Sequence, residues 1–220
     1  MTIDFHIHSR YSFDCFLEPS RIIDLARKHK IDGLAITDHD TMAGVDEFKR
    51  LAPDLYIIAG EEISTKYGDI LGLFLKHEVE NSQNPQAIIA DIRGQGGLAV
   101  LAHPFKWPHL VRDGGFLKLF DAIEVFNARN NIPVPYLENY LARKAVSGLG
   151  LPVIAGSDTH EGFELGGARM IFDFLASDAD DERIKRAIVE KTAKVSGSEV
   201  SLPLEIVSHF SRMFKGLRRR

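Results

Sequence analysis

Seven short runs rich in apolar and β-branched residues recur along the 220-residue chain: TIDFHIH, DGLAITDHD, LYIIAGEEIS, DILGLFL, GLAVLAHP, DAIEVFNAR and PVIAGSDTH. Segments with helical spacing separate most of them. EPSRIIDLARKHK puts Pro19 in a first turn and presents Ile22, Ile23, Leu25 and Ala26. NPQAIIADIRGQ offers Asn84 as a cap with Pro85 at the first helical position, and PYLENYLARKAVSGLG ends in glycines. Near-continuous apolar strands are buried on both faces, and their alternation with helices is what a parallel sheet covered by helices requires. With no long linker, low-complexity tract or composition break, a single α/β domain over 1–220 is expected. Its last helix, 203–214, has an apolar face for covering the barrel, and 215–220 is a basic tail.

Polar residues end the apolar runs. In an extended strand Asp4, His6 and His8 share one face, and Ile3, Phe5 and Ile7 share the other. His39 lies in ITDHD, Glu61 and Glu62 in GEEIS, His103 in AHP, and Asp158 and His160 in GSDTH. Catalytic groups of barrel enzymes converge at the carboxyl ends of the strands. Five such ends therefore favour a distorted seven-stranded (β/α) barrel over an open doubly wound sheet, with a metal site at its mouth. Imidazoles mixed with carboxylates, and no thiolate cluster, suit Zn, Mn or Fe rather than a structural zinc knuckle. Several carboxylates can also bridge ions, as a two-metal phosphoryl-transfer site needs.

The remaining composition narrows the partners. A formal net charge of −4 and a pI near 6.1 argue against a broad, sequence-independent grip on nucleic acid. Cys15 is the only cysteine, so no internal disulfide can form, and the N-terminus enters a strand pattern directly. An intracellular, cytoplasmic protein is expected. No apolar run approaches the roughly 20 residues that span a bilayer.

The ordered set HIHSRYS, ITDHD, GEE, AHP and GSDTH resembles the polymerase and histidinol phosphatase (PHP) family of metal-dependent phosphoesterases, from about Thr2 into the helix near Asp180. That resemblance implies a distorted seven-stranded barrel with a cluster of two or three divalent ions. It implies that His6, His8, Glu62 and Asp158 surround one ion, with Glu62 bridging to a second held by His103, and that His39 and His160 serve a third. Two positions depart from the family pattern: Asp69 stands where members often have a histidine after the Glu, and Asp14 where some have one after the first motif. Both can ligate, and a carboxylate shifts preference towards Mn or Mg.

The expected reaction is hydrolysis of a phosphate ester by a metal-bound hydroxide. Asp38, His39 and His160 are candidates for protonating the leaving alkoxide. Arg10, Lys106 and Arg129 follow three of the strands and are candidates for gripping phosphate, and Asn127 for touching substrate. The expected substrate is a small phosphorylated molecule or nucleotide. An exonuclease of short oligonucleotides and a noncatalytic metal-binding regulatory module are the alternatives; an amidohydrolase barrel fits less well, because no lysine ends a corresponding strand. His29 and His77 read as surface residues, while His109 and Trp107 follow the His103 run.

Overall fold

The computed structural model describes residues 1–106, 113–129 and 137–198. The apolar-faced segment 203–214, the tail 215–220, Trp107 and His109 lie outside them.

All seven apolar runs form strands: β1 (Thr2–Ile7), β2 (Gly33–Ile36), β3 (Tyr56–Ile63), β4 (Ile70–Leu73), β5 (Leu98–Leu101), β6 (Ala122–Asn127) and β7 (Val153–Gly156). Two further strands, β8 (Ala168–Ile171) and β9 (Lys194–Gly197), were not expected, and the sheet order is β7-β6-β5-β4-β3-β2-β1-β8-β9. At its carboxyl end β1 meets the residues after β7. The His8 amide donates to the Thr159 carbonyl (3.1 Å), and the Asp158 amide to the His6 carbonyl (2.8 Å). These bonds nearly close a seven-stranded barrel at the mouth. At its amino end β1 pairs antiparallel with β8 instead, through Thr2 with Ile171 and Ile3 with Met170.

Of the seven expected strands, one departs from the parallel arrangement expected of most of the sheet. β4 runs antiparallel to both β3 and β5. A parallel return needs a crossover of a dozen or more residues, and only 64–69 separate β3 from β4. The reversal places Asp69 at the mouth, where its carbonyl accepts from the Ala102 amide (3.0 Å).

Helices cover the strands: α1 (Pro19–Lys28), α2 (Val45–Leu51), α3 (Pro85–Gly94), α4 (Gly114–Leu117), α5 (Leu137–Val146) and α6 (Asp181–Val189). Pro19 and Pro85 occupy first turns, and the Asn84 side chain caps α3 by accepting from the Gln86 amide (3.1 Å). Ile22, Ile23 and Ala26 of α1 join Phe48 of α2 over Leu34 and Ile36, while Ile88, Ile89 and Ile92 of α3 pack on Ile63, Ile70 and Leu101. A third cluster joins Ile3, Phe5 and Ile58 to Met170, Phe172 and Ile184. That cluster takes side chains from each of β1 to β8, so apolar residues fill the bodies of the strands and the polar groups sit at their ends.

Candidate metal centre

His6, His8, Asp14, Glu62, His103, Asp158 and His160 are all buried. Three overlapping sets have ligand atoms within 4.8 Å of one another: His6, His8 and Asp158; His6, Glu62 and His103; and His8, His39 and His160. Glu62 joins them. Its Oε2 lies 3.3 Å from His6 Nε2, 3.1 Å from His8 Nε2 and 3.2 Å from His39 Nδ1, while its Oε1 lies 2.9 Å from His103 Nε2. Asp14 Oδ2 sits 3.1 Å from His160 Nε2 and 3.8 Å from His39 Nε2. Asp69 Oδ2 reaches within 3.9 Å of His103 Nε2.

The donors fit divalent ions. Among the described residues, buried Asp158 Oδ1, Asp14 Oδ1 and His103 Nδ1 have no hydrogen-bond partner, a costly arrangement unless something else satisfies them. His103 (φ 24°) and Asp158 (φ 55°) also adopt left-handed backbone, which non-glycine residues hold at a cost of about 1–3 kcal/mol. Strain gathered on two candidate ligands is a mark of a functional site.

Charge is tightly coupled here. Burial acts against the protonated imidazoles, yet Glu62, Glu124 and Asp158 hold His6 protonated well above its usual range. His8 is pushed up to about 9, with Asp158 and Glu62 overcoming burial. His39 goes down to about 3, since burial outweighs its contact with Glu62. Despite burial, Glu62 stays well below the usual carboxylate range through His6, His39 and His103, and Asp158 through Lys106 and His6.

Lys106 and Arg129 edge this cluster: Lys106 Nζ is 3.5 Å from Asp158 Oδ2, and Arg129 Nη1 is 4.0 Å from Asp158 Oδ1. Three other expectations change. Arg10 turns to Glu47 (2.9 Å) and Glu18 (3.2 Å) and is partly exposed, so carboxylates outside the cluster already neutralise it. Asn127 is an internal tie, donating through Nδ2 to Glu124 Oε2 (3.0 Å) and accepting from the Arg129 amide (2.9 Å). Asp38 is fully buried and accepts from the Ser9 amide (2.6 Å), Ser9 Oγ (2.7 Å) and Ser12 Oγ (3.0 Å), which leaves it a structural anchor rather than a proton donor. Ser12 Oγ in turn contacts His8 Nδ1 (3.0 Å) and accepts from the His39 amide (2.9 Å).

Other polar residues were missed. Glu124 Oε1 lies 3.1 Å from His6 Nδ1 and its Oε2 accepts from the His103 amide (2.7 Å), fixing two candidate ligands at once. A glutamate between Ile123 and Val125 in an apolar strand was the available signal. Glu164 accepts from the His160 amide (2.6 Å) and lies 3.5 Å from Arg129 Nε. Asp4, in phase with the histidines, instead accepts from the Ser157 amide (2.9 Å), and burial raises it to about 6. Glu61 accepts from the Val79 amide, and burial pushes it up to about 7.

Comparison with known proteins follows the same lines. Residues 137–190 match the family described as PHP-associated. An uncharacterised protein of Methanocaldococcus jannaschii is 36% identical over 165 residues, covering 66% of this chain and 96% of that one. A 5'-3' exoribonuclease of Haemophilus influenzae is 41% identical over 66 residues, covering 29% of this chain and 24% of that protein. The crystal structure of a two-domain Bacteroides vulgatus protein containing a predicted PHP-like metal-dependent phosphoesterase superposes with a TM-score of 0.70 at 18% identity, covering 96% of this chain and 69% of that one. With residues 4–129 matching the PHP domain itself, the chain belongs to the PHP family.

Proposed function

We propose that the protein hydrolyses a phosphate ester of a small molecule or nucleotide at a cluster of two or three divalent ions, with Mn, Zn or Fe the fitting metals and Mg also compatible. The observation that carries this reading is the convergence of His6, His8, Glu62, His103 and Asp158, with His39, His160 and Asp14 adjoining, beside the buried Arg129 and the half-buried Lys106. Bound ions would lower the pKa of a coordinated water and neutralise charge on the phosphoryl oxygens.

Each protein group then has a role. Glu62, with an oxygen towards each histidine set, is the bridging ligand, and His6, His8, Asp158 and His103 complete the two sites it joins. His39, kept neutral by burial, joins His160 and Asp14 as ligands of a third. Lys106 and Arg129 hold the phosphate, the guanidinium being shaped for two parallel hydrogen bonds to its oxygens. With Asp38 committed to Ser9 and Ser12 and His39 kept neutral, His160 is the remaining candidate to hand a proton to the leaving alkoxide when it is not bound to an ion.

A short oligonucleotide is the second substrate reading, favoured by the local similarity to an exoribonuclease. Phosphate release from a panel of phosphomonoesters, nucleotides and short oligonucleotides tests both. Apo protein reconstituted with each metal is expected to turn over one class, and His103→Ala to lose that activity. Metal binding with no turnover of any compound would instead make the chain a noncatalytic metal-binding module.

A further inference from the structure

The mouth of the barrel displays aromatic rings that the metal centre does not use. Among the described residues the exposed aromatic side chains are Phe13, Phe16, Tyr67, Tyr140 and Phe163. All but Tyr140 lie in loops at the mouth, each close in sequence to a candidate ligand. Phe13 and Phe16 flank Asp14, Tyr67 precedes Asp69, and Phe163 follows His160.

The loop after β1 divides its side chains between the interior and the surface. Ser12, Asp14 and Cys15 turn inward and are buried, whereas Phe13 and Phe16 turn outward, 56% and 44% exposed. The loop is fastened by Ser9 and Ser12 on Asp38, and by the Arg10 amide on the Leu17 carbonyl (2.8 Å). Phe13 lies over the cluster: its ring centroid is 5.0 Å from that of His39 at 30°, and His39 Nδ1 is 3.2 Å from Glu62. Exposed aromatic groups on the loops around a site are candidates for ligand contact, and aromatic faces suit planar rings because every nucleobase has a π-face to stack.

Depth sorts the two chemistries. Arg129 is buried and Lys106 half-buried beside Asp158, below the exposed rings, so a phosphate held by them would leave the esterified alcohol at the level of the rings. We propose that Phe13 and Phe16, with Tyr67 and Phe163 around them, form a stacking rim that selects phosphate esters whose alcohol carries a planar ring over those with a bare sugar or aliphatic alcohol. The proposal rests on the phosphoesterase reading for the ester and on the rim alone for the ring.

Adenosine 5'-monophosphate and ribose 5-phosphate are the same ester with and without a base. Metal-reconstituted protein is expected to favour the nucleotide in kcat/KM by about tenfold or more, chiefly through KM. The Phe13→Ala/Phe16→Ala double variant should bring that ratio near one, and Phe13→Tyr/Phe16→Tyr should restore it. A double variant with wild-type metal content and the wild-type ratio would overturn the proposal. If the double variant does not fold, Phe163→Ala, on a separate loop, carries the same comparison. If neither ester is turned over, the phosphoesterase reading fails by itself, and calorimetry with metal-loaded protein decides the rim. Tighter binding of the nucleotide, lost in the double variant, would support it, and equal binding of the two compounds would overturn it.

Discussion

The Nε2 atoms of His6 and His8 stand 3.0 Å apart in a fully buried site, and Glu62 Oε2 lies 3.3 and 3.1 Å from them. Two imidazoles aimed at one point gain little from each other. Ligand atoms about 2.0–2.1 Å from a shared ion are separated by about 3 Å, so this spacing is what a common ion requires.

Glu124 orients His6 through its ring and His103 through its backbone amide. Glu124→Gln keeps the shape and removes the charge. Metal affinity, measured by competition with a chelator, should fall about 10- to 100-fold, as for other groups that orient a metal ligand. Unchanged affinity would remove Glu124 from the supporting shell.

Gly156 lets β7 pass directly against His6, and a Cβ there would collide with the His6 Cβ and crowd Glu124 Oε1. Gly156→Ala should lower stability by about 2 kcal/mol or more in thermal or urea unfolding, because a packed interior must move. Bound metal should fall with it, since the displaced residue, His6, is a candidate ligand.

His8 sets a pH dependence of opposite sign in the two forms. Its folded-state pKa, about 9, is raised above the ordinary 6.5, so its contribution to apo stability is complete below 6.5 and disappears as pH rises through 9. That contribution is at most about 3 kcal/mol. An ion needs the neutral imidazole, so metal affinity should rise over the same window, with proton release on binding. Apo unfolding and metal titrations at pH 6.5, 7.5 and 9 check both slopes.

Much of the candidate site was legible because polar residues end apolar runs: His6, His8, Glu62, His103 and Asp158 could be picked as candidates before any fold was known, and the structure brings them together. Asp69 reached the mouth by a reversed strand, and the short 64–69 link already excluded a parallel return. β8 and β9 were missed because ARMI and KVSG are four-residue strands of mixed burial, without a long apolar run. Arg10 was misplaced because its partners, Glu18 and Glu47, come from the starts of two helices that only folding brings together. Glu124 contacts the His6 ring and the His103 amide, and Glu164 the His160 amide; beyond an acidic residue inside the apolar β6, no local spacing announces such contacts.

The most direct measurement is anomalous diffraction from crystals of protein reconstituted with Mn or Zn, collected on both sides of the metal absorption edge. Two or three peaks should appear, one among His6, His8, Glu62 and Asp158, another between Glu62 and His103, and Glu62→Gln should remove at least one. Crystals of metal-saturated protein with no peak inside this cluster would contradict the account.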